Sequence, residues 1–93
     1  MVTLVVKMRL DIPAIGSLKE KRRILKWMIT RLRNDFNISI AEVDLQDQIR
    51  AAVLGAAVIS NSSAFCHQVM AKVIARVESS HEVILADYLT ETY

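Results

Sequence analysis

From Val2 to Ile12, hydrophobic and polar positions alternate along the chain. Val2, Leu4, Val6, Met8, Leu10 and Ile12 fall on one side, and Thr3, Val5, Lys7, Arg9 and Asp11 on the other. A period of two is that of a strand with one face in a core. Pro13 and Gly16 end the run, and Ser17 followed by Glu20 forms a capping box that opens a helix through about Asn34. On a helical wheel Leu18, Ile24, Leu25, Met28, Ile29 and Leu32 share one apolar arc, the side expected to pack on a sheet. Phe36 to about Leu45 reads as a second strand at a sheet edge, with a slip in alternation near Ala41 that predicts a bulge. After a polar connection from Asp44 to Arg50, Ala51–Ser60 is apolar on both faces, which predicts a central strand. Gly55 within it marks a bulge or a close backbone approach. Ser60, Asn61, Ser62 and Ser63 then cap a second helix reaching about Ser79, with the stripe Phe65, Cys66, Val69, Met70, Val73 and Val77. Glu82–Thr90 forms the last strand, where Val83, Leu85 and Leu89 compete with Ile84, Ala86 and Tyr88 for the buried face.

The order β-α-β-β-α-β predicts an α+β, ferredoxin-like fold. Its expected form is a four-stranded antiparallel sheet in the order 4-1-3-2 with both helices on one face, and residues 1–93 as a single domain. The opposite face, carrying Val5 and half of the third strand, must then meet water or a partner, and a homodimer is one expected outcome.

Composition narrows the class. The chain has 93 residues, 53% hydrophobic and 24% charged, which excludes intrinsic disorder. A single cysteine, Cys66, excludes an intrachain disulfide and a cysteine-based zinc site and fits a reducing cytoplasm. The start meets Lys7 and Arg9 too early for a signal peptide. Ala51–Ala71 lacks acidic and basic residues over about the length of a membrane span, but Ser60, Asn61, Ser62 and Ser63 divide it, so no membrane association is expected.

Charge is concentrated in the first helix. Lys19, Lys21, Arg22, Arg23, Lys26, Arg31 and Arg33 lie there with Glu20 as the only acid between them. The whole chain carries only +2, so the remainder is net acidic. With Leu18 at 0°, Arg22, Arg33, Lys26, Lys19 and Arg23 fall between about 40 and 140°, a stripe beside the core face. Such a row suits a phosphate backbone, because each cation placed near a phosphate releases a condensed counterion. The alternative is a solvated face whose long stems cover apolar rims. Trp27 falls near 180°, opposite the apolar arc, where an indole could stack on a base or anchor a protein.

Other candidate chemistry is weaker. Cys66 and His67 are adjacent in sequence but about 100° apart on the helix, so they form no thiolate–imidazole dyad. Ser63 and His67 are within reach of each other but lack a third group, and His67 and His81 are too few and too separated for a metal site. Glu42, Asp44 and Asp47 match no calcium loop and read as turn formers paired with Arg50 or the basic helix; Asp87 is expected to pair with Lys7 or Arg9. Only Gly16 and Gly55 are glycines, so no glycine-rich phosphate loop exists. No cofactor, metal site or catalytic residue is expected.

The segments Ile12-Pro13, Gly16-Ser17-Leu18-Lys19-Glu20-Lys21-Arg22-Arg23, Phe36-Asn37-Ile38-Ser39-Ile40-Ala41-Glu42-Val43-Asp44, Gln46-Asp47, Leu54-Gly55 and Ser60-Asn61 recur in one order in a known family. In them the chain resembles the YlxP-like family of small bacterial proteins, a domain of unknown function, over nearly its whole length. The resemblance implies a ferredoxin-like fold and a bacterial source. It also implies genes commonly placed beside those for translation initiation factor two and ribosome-binding factor A, a link to ribosome assembly or translation that agrees with a partner such as RNA or a ribosomal particle for the basic stripe; it carries over no catalytic residue. The chain departs from its relatives at Gln48-Ile49, where an aromatic is frequent, and at Ser62, where an acid is common.

Overall fold

The computed structural model describes residues 1–93. Six elements follow in the order β1 (Val2–Asp11), α1 (Leu18–Asp35), β2 (Ser39–Asp44), β3 (Ala51–Ser60), α2 (Ser63–Glu78) and β4 (Ile84–Thr92). The strands form one antiparallel sheet in the order β2-β3-β1-β4, the ferredoxin-like arrangement.

Alternation in β1 decides which side is core. Leu4, Val6, Met8 and Leu10 are fully buried, and they join Ala52, Leu54, Ala56 and Val58 of the neighbouring β3 beneath both helices. From α1 come Ile24, Leu25, Met28 and Leu32, and from α2 Cys66, Met70, Val73 and Val77. Phe65 departs from the expected stripe: it lies in the first turn of α2 and remains exposed.

Both helices start on the hydroxyls expected of them. Ser17 is the N-cap of α1 and its side chain accepts from the Glu20 N–H at 3.2 Å; Ser62 does the same for α2, from the Phe65 N–H. Helix α1 ends at Phe36, whose backbone is already extended, so β2 begins only at Ser39 and not at Phe36. The bulge in β2 falls between Glu42 and Asp44, a little later than the slip near Ala41 suggested. Gly55, paired with Ala41 just before the bulge, sits in regular β3 with no bulge of its own. A Cβ built there would meet Val43 Cγ1 at 3.0 Å, so the close approach comes from a side chain and not from backbone.

On strand β4 the bulge between Arg9 and Leu10 in its pairing with β1 settles the competition between its two apolar sets. Val83, just before the strand, is buried and Leu85 is half-buried opposite Leu10, whereas Ile84 and Leu89 are exposed. Asp87 stands opposite Arg9 in the register, but its carboxylate accepts the Tyr88 N–H at 2.8 Å and makes no ion pair.

Candidate nucleic-acid interface

Helix α1 lies between β2 on one side and α2 on the other, so its outward half is free. Lys19, Arg22, Arg23, Lys26, Arg31 and Arg33 are all exposed on it. The chain forms only two salt bridges, Lys21–Glu42 and Arg76–Asp35, and neither involves any of those six. Their positive charge is therefore unneutralised within the fold, the condition that favours an external polyanion.

Two members of the basic segment are committed to the fold. Arg33 reaches over the edge of α1 and donates through Nη2 to the Ile40 carbonyl at 2.7 Å, tying the helix to β2. It remains exposed, and a guanidinium has further N–H groups to offer. Lys21 is more fully used, with a side chain only 1% exposed. Its Nζ donates to the carbonyls of Leu45 and Gln48 at 2.7 Å each and, more weakly, to Gln46 at 3.4 Å. Glu42 Oε2 lies 2.9 Å from the same nitrogen, in charge contact but outside hydrogen-bonding alignment, so it is buried without a directed partner. The loop between β2 and β3 is thus wrapped around one ammonium group. Leu45, the only non-glycine residue with a positive φ, is part of this wrap. The sequence counts Lys21 in the positive charge of the helix but leaves it out of the cationic stripe, and the wheel places it near 300°, inside the apolar arc. That angle was the available signal.

The acidic residues at the end of β2 have local roles. Glu42 turns inward to Lys21, and Asp44 Oδ1 accepts the Leu45 N–H at 2.8 Å. No three His, Cys, Asp or Glu side chains converge to hold a metal ion. Cys66 is fully buried, its Sγ 4.0 Å from the Val2 carbonyl, while His67 is exposed.

Trp27 is 55% exposed on the outward face of α1, as its wheel position predicts. The Arg31 guanidinium stacks over its ring, 5.2 Å from the centroid. Both residues border a cavity of about 260 Å³ between the second half of α1, the end of α2 and the loop leading to β4. Met28, Leu32 and Val77 form its apolar floor, and Arg76, Ser79, Ser80, His81 and Glu82 contribute the rest of the wall. Arg76 is held by the Asp35 carboxylate and lies over the Phe36 ring, fastening the two helix ends together. This cavity was not visible in the sequence, because its walls come from segments some fifty residues apart that no periodicity relates.

Fold and surface together define a small ferredoxin-like α+β protein with a cationic helix facing solvent. The chain belongs to the family described as "protein of unknown function (DUF503)", which it matches over residues 3–90. It is 40% identical over 68 residues, 73% of this chain and 74% of the relative, to "uncharacterized protein YlxP" of Bacillus subtilis (strain 168). No helix is long and apolar enough to cross a membrane.

Proposed function

We propose that the protein is a non-enzymatic, RNA- or ribosome-associated protein of the bacterial cytoplasm that grips phosphates through the outer face of α1. Lys19, Arg22, Arg23, Lys26 and Arg33 make the phosphate contacts in this reading, and Trp27 beside them stacks or docks. The observation that carries it is the absence of any carboxylate partner for these exposed cations, in a chain whose net charge is only +2. Lys21 does not belong to the surface that RNA would meet. The neighbourhood of translation genes implied by the family resemblance points the same way.

The test is binding to ribosomal subunits and structured RNA as salt is raised. If four of these side chains each neutralise one phosphate, affinity falls about a hundredfold between about 50 and 200 mM salt. Reversal of Arg22, Arg23 and Lys26 to Glu lowers affinity by a similar factor or more. Because these positions are exposed, the circular dichroism spectrum stays unchanged. Unchanged affinity in the triple variant would show that this face is merely solvated.

A second reading, in which copies pair through the open sheet face, draws on a different observation. Val43, Ile59, Ile84 and Leu89 are exposed apolar side chains on the strands, where no helix covers them. It is compatible with the first, since the two surfaces lie on opposite layers.

A further inference from the structure

The cavity beside Trp27 differs in character from the rest of α1, and the difference defines a ligand. Along the outer face the cations lack carboxylate partners. Inside the cavity, Arg76 is neutralised by Asp35, and Glu82 adds a negative charge to a wall that also carries Arg31. A phosphate gains little there, whereas a neutral planar ring gains from the apolar floor of Met28, Leu32 and Val77. At about 260 Å³ the cavity is below the usual size of small-molecule sites, so it fits one ring system and not an extended cofactor. Its mouth carries an exposed indole with a guanidinium on its ring, the pair of planar groups on which unstacked bases settle. Its wall offers Ser79, Ser80, His81 and Glu82 as hydrogen-bonding groups. The Glu82 carboxylate accepts hydrogen bonds only and therefore favours a base edge bearing an amino group.

We infer that this cavity receives one unpaired base of single-stranded RNA while the flanking phosphates run along the cations of α1. The inference rests on the proposed RNA-binding role and narrows it from RNA in general to strands with an unstacked nucleotide. A duplex keeps its bases stacked and presents only phosphates and sugars to such a helix. The cavity therefore discriminates between single and double strands, whereas the cationic stripe does not.

Trp27 is the only tryptophan in the chain, so the intrinsic tryptophan fluorescence arises at the mouth of the cavity. The full-length protein is titrated at low salt with a short single-stranded RNA, with a duplex of the same length, and with heparin as a polyanion lacking bases. Single strands are expected to quench Trp27 and to bind more tightly than duplex. Trp27→Ala is expected to weaken single-strand binding about tenfold, the usual effect of removing one stacking platform, and Trp27→Phe to restore most of it. Heparin binding, followed by anisotropy of a labelled probe, is expected not to change in either variant. A second substitution, Ser80→Trp, fills the cavity while leaving the native indole in place, and is expected to remove the preference for single strands. Equal binding of single strand, duplex and heparin, with neither variant having an effect, would overturn the cavity and leave the phosphate-gripping helix standing. Absence of binding to all three probes would overturn both.

Discussion

Lys21 illustrates how one buried charge organises a loop. Its ammonium is held by two carbonyls at 2.7 Å and by Glu42 at 2.9 Å, so the loop from Leu45 to Gln48 closes around it. Truncating such a cation leaves the Glu42 carboxylate and the carbonyls partly desolvated with nothing to compensate them. Lys21→Met is therefore expected to cost about 3 kcal/mol in urea unfolding, and the amides of residues 45–48 are expected to exchange faster with solvent. Adding Glu42→Gln should recover part of the loss, since it removes the orphaned charge. If Lys21→Met were neutral, the ammonium would be better hydrated than its burial indicates. The same residue marks a limit of sequence reading. Its place in a run of Lys and Arg suggests a surface role, but its angle on α1 places it among Ile24, Leu25 and Met28. Composition and periodicity disagree there, and periodicity corresponds to the burial. Trp27 shows the converse: its angle pointed outward and the ring is exposed.

At the scale of elements, the strong periodicities of β1, α1 and β3 were legible almost to the residue, because burial of one face leaves a regular trace in the chain. Strand β2 was less so. Phe36 caps α1, Glu42 is drawn inward by Lys21, and the bulge falls where Val43 crosses Gly55. The last two depend on partners remote in sequence. The contact between β2 and β3 yields a prediction of its own. Gly55 does not have a positive φ, and an added methyl would meet only the branched end of Val43, an exposed side chain on an edge strand. Gly55→Ala should therefore change stability by less than about 1 kcal/mol, because reduced freedom of the unfolded chain offsets the crowding. Gly55→Ile should cost about 1–3 kcal/mol through overpacking, and Val43→Ala in the same background should return much of it. Chemical denaturation of the variants checks both. A large loss on Gly55→Ala would mean that Val43 is locked in place.

The whole molecule has two unlike faces, a helical layer bearing the cations and a sheet face without a cover. With four strands about 4.8 Å apart and central strands of ten residues, that face spans about 19 by 33 Å, roughly 600 Å². A stable protein–protein interface takes about 800 Å² from each partner, so pairing through this face alone falls near the lower limit. Lys7, Arg9, Asp87 and Glu91 are also exposed along β1 and β4, which adds polar surface to desolvate. Self-association through the sheet is thus expected to be weak and concentration-dependent. Sedimentation of the purified protein over about a hundredfold concentration range should show a mass rising toward twice 10.5 kDa only at the upper end. Leu89→Lys and Ile59→Lys, which place charges at two of the most exposed apolar positions of the strands, should hold the protein monomeric. Back-to-back sheets would direct the two α1 helices outward on opposite sides. A dimer of this form should therefore bind two RNA strands at once, whereas the Leu89→Lys variant should bind one with unchanged intrinsic affinity. If RNA affinity instead fell in that variant, the sheet face itself would belong to the binding surface, and the separation of roles between the two layers would not hold.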